Sequence, residues 1–201
     1  MSPALQPFSG TPDYEKERQV TMNTHRRKHL QRSRAKKRPL LVPVERDREL
    51  VRQLAQELTQ SIEPLLSDNC HGFRPGRNCD SARTHVASLD GPITAFDVKS
   101  FFPSIDHQHL RRQLNRIDPD WWYRLWPWIP RKGLAMGVAF SPVLSNLYLN
   151  GIDERFPHAV RYVDNIIVSE DPRPLMRQLQ DLGLAVHEIE RSPTRWLGQS
   201  L

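Results

Sequence analysis

The sequence predicts an α+β fold in which helices back a small antiparallel sheet. Two short apolar stretches rich in β-branched residues, Ile93–Val98 and Val160–Val168, read as extended. Residues 45–62 carry apolar side chains at helical spacing, and 140–149 also reads as a helix. Helical and extended segments do not alternate strictly, which argues against a doubly wound parallel sheet. The 201 residues, 38% of them hydrophobic, suffice for one domain with a tail.

Residues 1–24 are polar, hold Pro3, Pro7 and Pro12 and lack an apolar period, so an irregular leader is expected. A basic arm follows, and the leader and arm together are expected to occupy 1–38, partly disordered, with the domain over 39–201. Pro39 and Pro43 bracket the apolar Leu40–Val44. From Glu45, Leu50, Leu54 and Leu58 recur every four residues, with Val51, Ala55 and Ile62 beside them. Glu45 and Asp47 suit the positive end of that helix, and Pro64 lies near its other end. A loop with Asp68, Asn69, Gly72, Pro75 and Gly76 precedes a weakly helical 79–88. The strand Ile93–Val98 and a helix over 106–115 come next. Trp121, Trp122, Tyr123, Trp126 and Trp128 then cluster; they suit a base-stacking platform, but between two helical stretches they read first as a local core. Gly133–Gly137 reads as a turn, and Val160–Val168 (VRYVDNIIV) as a hairpin with Asp164–Asn165 at its tip. A helix over 174–182 and short strands Leu184–Val186 and Arg195–Leu197 complete the reading.

The net charge of +6 is local: Arg26 to Arg38 (RRKHLQRSRAKKR) holds eight Lys or Arg and no acid, leaving 21 basic against 23 acidic side chains elsewhere. Such a run is either a solvated tail or a segment that neutralises phosphates; nucleic acid is the preferred partner, through Arg26, Arg27, Lys28, Arg32, Arg34, Lys36, Lys37 and Arg38. No apolar face accompanies the charge, and no apolar run reaches the roughly 18 residues of a membrane span, so no membrane partner is expected. Two cysteines, Cys70 and Cys79, make neither a disulfide framework nor a zinc site. With no secretory leader pattern, a reducing, cytoplasmic setting is the expectation.

Asp97 closes an apolar strand, and Asp164 sits within the hairpin. An acid among apolar strand residues is costly unless something compensates it. A structural ion pair would do so, and so would Mg²⁺, which takes oxygen ligands from a few carboxylates and keeps waters and substrate phosphates besides.

At this point the chain resembles the reverse transcriptases of the group II intron maturase clade and their bacterial retroelement relatives. Pro43–Asp47 with the helix after it and Glu63-Pro64 look like the family's first block; Gly72-Phe73-Arg74-Pro75-Gly76-Arg77 is similar to its fingers motif. Phe96–His107 resembles the first palm motif; Gly133–Gly137 with Ser141–Leu149 resembles the second. Arg161-Tyr162-Val163-Asp164-Asn165 stands where the family carries Tyr-x-Asp-Asp; Leu182–Leu184 and Trp196–Gly198 look like the closing motifs.

The resemblance implies a right-hand polymerase fold of fingers and palm, RNA-directed DNA polymerase activity and two Mg²⁺ ions, with Mn²⁺ as a substitute. It implies that Asp97 and Asp164 hold the ions, with the Val98 carbonyl as a further oxygen. Asn165 occupies the third catalytic position. Arg74 and Arg77 would grip the triphosphate, Phe102 would lie against the sugar, and Met136 and Gly137 would floor the pocket. The implied partners are an RNA template and primer or a structured RNA, and deoxynucleoside triphosphates. The settings it leaves open are retroelement mobility, antiviral defence and a degenerate relic.

The chain departs from the pattern at Asn165, where the family carries Asp, and at Ala135, where it carries Pro. The lysine between the last two motifs is absent; Glu190, Arg191 and His187 stand near its slot. Three residues follow Gly198, where the family continues into a helical thumb, so the arm, a second subunit or an RNA is expected to substitute. A competing reading therefore stands beside synthesis: a weakly active or inactive relative kept as an RNA-binding or assembly protein.

Overall fold

The computed structural model describes residues 30–33 and 40–201. The leader and Arg26, Arg27, Lys28, Arg34, Lys36, Lys37 and Arg38 lie outside these residues. Within the arm, part of a 1–38 segment expected to be partly disordered, Leu30–Ser33 forms β1, paired antiparallel with β2 (Leu40–Pro43), and Arg32 stands opposite Leu41.

A 3-10 turn (Glu45–Asp47) leads into α1 (Arg48–Ile62). Asp47 does not cap the helix with its side chain; its buried carboxylate accepts from Trp128 Nε1 at 3.0 Å. The buried stripe is Val51, Leu54, Ala55, Leu58 and Ile62, whereas Leu50, expected within it, is 48% exposed. A strict four-residue repeat drifts about 40° per step on a helix, so the row begun at Leu50 does not keep to one face. Next come α2 (Cys79–Ala87), β3 (Thr94–Val98), the short α3 (Phe101–Ser104), α4 (His107–Ile117) and α5 (Asp120–Leu125). Helix α2 starts on a reciprocal cap between Asn78 and Ser81. Trp121, Trp122, Trp126 and Trp128 are buried in the main core, with the Trp122 and Trp126 rings 5.1 Å apart. They pack, and no stacking platform is left for bases.

The chain continues through α6 (Ser141–Arg155), β4 (Ala159–Tyr162), β5 (Asn165–Val168), α7 (Pro172–Asp181), β6 (Val186–Arg191), β7 (Arg195–Trp196) and β8 (Gln199–Ser200). The hairpin tip is Val163–Asp164, one residue earlier than expected, and Asn165 already belongs to β5. Strand β6 starts two residues later and runs longer than expected. A bulge between its pairs Phe96↔Ile189 and Asp97↔His187 breaks the period of two that would mark it in the sequence. Strands β7 and β8 pair about a tight turn in which Leu197 and Gly198 have φ of 50° and 80°.

Strands β4, β5, β3 and β6 form one antiparallel sheet in that order. Its two faces differ. Phe96, Val98, Ala159, Ile166 and Val168 point into the large core shared with the helices. Ala95, Val160 and Ile167 pack on the other face with Ala82 and Val86 of α2 and Trp196 of β7. Side chains alternate along a strand. Asp97 therefore shares the second face with Ala95, and Asn165 shares it with Ile167, while Arg161 projects to the helical side. No helix of the described residues is long and apolar enough to cross a membrane.

Candidate active site

The two acids singled out in the sequence lie on neighbouring backbone at one end of this sheet. Asp97 stands opposite Asn165, the residue after Asp164, in the β3–β5 ladder. The Val98 amide donates to the Asp164 carbonyl at 2.9 Å. Asn165 Nδ2 donates to Asp164 Oδ1 at 3.2 Å. On its other side Asp97 stands opposite His187 of β6, so Asp97, Asn165 and His187 project to one face. A cavity of about 490 Å³ lies there, lined by Asp97, Asn165, Glu190, Arg195 and Trp196 among others.

The tip that carries Asp164 is strained and braced. Val163 has φ of 62°, a left-handed conformation costly for a β-branched residue. Its carbonyl accepts from Arg161 Nη1 at 2.9 Å. Arg161 is fully buried behind the sheet and pairs with Asp153 of α6 through Nε–Oδ1 at 2.8 Å and Nη2–Oδ2 at 2.6 Å. It also donates to Asn146 Oδ1 at 3.2 Å and to Cys70 Sγ at 3.1 Å. Burial alone would lower its pKa; the Asp153 carboxylate outweighs this and the net shift is upward. Burial pushes the Asp153 carboxyl up, against the pull of Arg161. Sequence reading missed Arg161 as more than a motif letter. An arginine inside an apolar strand, eight residues after an aspartate, was the signal.

The fingers-motif loop docks on the same hairpin. Residues Asn69–His71 run along β4: His71 N donates to Arg161 O and Arg161 N to Asn69 O, both at 2.8 Å. Gly72 is pressed on the tip, so a Cβ there would lie 2.6 Å from Val163 Cγ2 and 2.7 Å from Val163 N. Asn146 Nδ2 donates to Gly72 O at 2.7 Å. Next to it Phe73 is half-exposed with φ of 56°. His71, buried, bridges Ser81 Oγ at 2.9 Å and His85 Nδ1 at 3.0 Å. Burial first, then the Arg77 and His85 charges, lowers its pKa to about 4.

The expected substrate residues occupy different places. Arg74 is buried, pairs with Glu63 at 2.8 Å, and donates to the carbonyls of Ser67 at 2.6 Å and Cys70 at 2.9 Å. Arg77 pairs with the Asp68 carboxylate and donates to its carbonyl at 2.6 Å. The guanidinium of Arg74 thus closes the loop from within, while that of Arg77 stays partly exposed. Phe102 and Phe101 are both buried, their rings 5.7 Å apart, and Phe102 O accepts from Leu134 N at 2.8 Å. Met136 is half-exposed. Gly137 lies under β2, where a Cβ would come 2.3 Å from Leu41 O. Of the expected site residues the cavity lining takes in Asp97 and Asn165; Asp164, Val98, Arg74, Arg77, Phe102, Met136 and Gly137 do not line it.

The donor set near the tip is two carboxylates, the Asn165 amide oxygen and backbone carbonyls. Among the described residues no three His, Cys, Asp or Glu side chains gather. Two carboxylates with neutral oxygens fit a hard cation that completes its shell with water and substrate phosphates, and do not fit a tetrahedral zinc cage.

A family model described as reverse transcriptase (RNA-dependent DNA polymerase) matches residues 26–188. The chain is 30% identical over 152 residues to the group II intron-encoded protein LtrA of Lactococcus lactis subsp. cremoris, covering 64% of this chain and 24% of that protein. It is 32% identical over 139 residues to an uncharacterized 91 kDa protein in the cob intron of Schizosaccharomyces pombe, covering 59% and 17%. A reverse transcriptase-like protein of Chlamydomonas reinhardtii is 23% identical over 214 residues, covering 88% and 58%. The chain thus spans a quarter or less of the first two relatives. Most of its length, including both acids and the loop that braces one of them, matches one family, and the chain belongs to the reverse transcriptases.

Proposed function

We propose that this chain carries out RNA-directed DNA synthesis, with Asp97 and Asp164 holding two Mg²⁺ ions. The observation that supports it most is the ladder register that sets Asp97 beside the residue following Asp164, with Val98 bonded to Asp164 itself. Bound there, the cations would offset the charge that builds on the triphosphate during in-line displacement. The chain's own residues supply the positioning. The sheet backbone fixes the two carboxylates, the Val98 carbonyl offers a further oxygen, and Arg161 holds the tip from behind. Arg77 reaches a triphosphate by exchanging its bonds to Asp68; Arg74 would have to give up Glu63. Phe102, set four residues beyond Val98, is the residue that would select the deoxy sugar. The basic arm would hold template or primer phosphates.

A second reading, an RNA-binding or assembly protein without synthesis, is favoured by one observation: Asn165 stands as an amide donor to Asp164 where a second carboxylate would strengthen the cation site. Primer extension on an RNA template with Mg²⁺ or Mn²⁺ separates the two. Addition of deoxynucleotides in preference to ribonucleotides is expected; RNA binding with no extension under either cation would support the second reading.

A further inference from the structure

We propose that the cleft between α4, α6 and α7 is a second nucleic-acid site, which seats the phosphates of an RNA strand on the helical side of the sheet, behind the face that carries Asp97. The cleft has a volume of about 250 Å³ and is lined by Arg112 and Arg116 of α4, Arg155 of α6 and Gln178 of α7, with His109 and Tyr148 among its walls. None of its lining residues lines the cavity beside Asp97. The helical side of the sheet is fixed by Arg161, which reaches Asp153 and Asn146 of α6.

Charge is what marks this cleft. Asp181 is the one carboxylate among the lining residues, against three arginines. Arg112 and Arg116 are both exposed, and neither has an ion-pair or hydrogen-bond partner among the described residues. By contrast, Arg48 pairs with Glu45, Arg52 with Glu49, Arg124 with Glu57 and Arg173 with Asp171. Four apart on α4, Arg112 and Arg116 stand on neighbouring turns and repel each other. Arg155 is held at the same cleft by Gln178, its Nη1 donating to Oε1 at 2.7 Å. Burial, then the nearby Arg112 charge, lowers the pKa of His109, which sits edge-on to Tyr148 at 5.0 Å. Guanidinium forks match phosphate oxygens two at a time, and a row of them suits a row of phosphodiesters. The inference does not rest on the synthesis reading, since a chain unable to extend a primer would bind RNA here equally well.

The test is fluorescence anisotropy with a single-stranded RNA of about 20 nucleotides and its DNA counterpart, over about 50–200 mM salt. Arg112→Glu with Arg116→Glu should weaken RNA binding at least tenfold at about 100 mM salt and reduce the slope of log K against log salt by about 1.4, at roughly 0.7 per phosphate contact on a single strand. Arg48→Glu with Arg52→Glu changes the net charge equally on α1 and should leave that slope unchanged. The milder Arg112→Gln with Arg116→Gln should follow the first variant in direction and melt no lower than wild type. RNA affinity within twofold of wild type in both cleft variants overturns the proposal, as does an equal loss in the α1 variant. Loss of polyglutamate binding with RNA binding intact also overturns it and assigns the cleft to an acidic protein segment. DNA bound as tightly as RNA supports phosphate recognition without sugar choice. Primer extension measured alongside distinguishes failure here from failure of the synthesis reading.

Discussion

The Val98 amide donates to the Asp164 carbonyl at 2.9 Å, tying the residue after one candidate cation-holding acid to the other acid itself. The backbone of Asp164 is thereby tied to the strand that carries Asp97. The tip that carries Asp164 costs about 1–3 kcal/mol in backbone strain at Val163. Arg161 from behind and Val98 from the side oppose that cost.

Removing Arg161 should cost the fold heavily. Arg161→Met leaves Asp153 buried and unpaired, a loss of about 3–5 kcal/mol by denaturant unfolding. Arg161→Met with Asp153→Leu removes both charges and should recover most of it. A single-variant loss below about 1 kcal/mol would show that the pair does not brace the hairpin.

Gly72 should be intolerant of a methyl group. In Gly72→Ala the Cβ meets Val163 N at 2.7 Å, a backbone atom that cannot turn aside. A stability loss of about 1–3 kcal/mol is expected, with extension falling because Asp164 moves with the tip. Gly76→Ala, which meets nothing within 4 Å but has φ of 71°, should lower stability mildly and leave extension alone. Equal extension by both variants would detach the fingers loop from the site.

Acid should destabilise the protein through His71. Its folded pKa of about 4 lies below the ordinary 6.5, so between these values the unfolded chain binds more protons. The stability it contributes is present above about pH 6.5 and is lost as pH falls toward 4, up to about 3 kcal/mol. Thermal melting of His71→Asn should show a flatter pH dependence in that window. An unchanged profile would remove His71 as its source.

Asn165→Asp should make stability depend on the cation. The new carboxylate faces Asp164 where an amide now donates, so melting without divalent ions should fall. Mg²⁺ should then raise it more than in wild type and reach half-maximal extension at a lower concentration. A melting temperature indifferent to Mg²⁺ would place the ion elsewhere.

Much of this was legible in the sequence because it rested on local pattern. The β-branched run at 160–168 showed the hairpin, and the acid ending an apolar strand showed Asp97. The exact tip was not legible, because a Val at positive φ defies the usual turn residues and is held by contacts from β4 and α6. Strand β6 was hidden by its bulge. Arg74 read as a ligand-gripping cation, yet Glu63 and the loop carbonyls that hold it come together only in the fold. The pressure of Gly72 on Val163, 91 positions away, leaves no mark in any local period.

The central claim is that Asp97 and Asp164 form one cation-dependent centre for DNA synthesis. Primer extension on an RNA template by wild type, Asp97→Asn and Asp164→Asn tests it most directly, with melting measured for each. Wild type should extend with deoxynucleotides, and each variant should lose at least about a hundredfold in rate while melting no lower than wild type. Extension within tenfold of wild type by either folded variant, or none by wild type under Mg²⁺ or Mn²⁺, would contradict it.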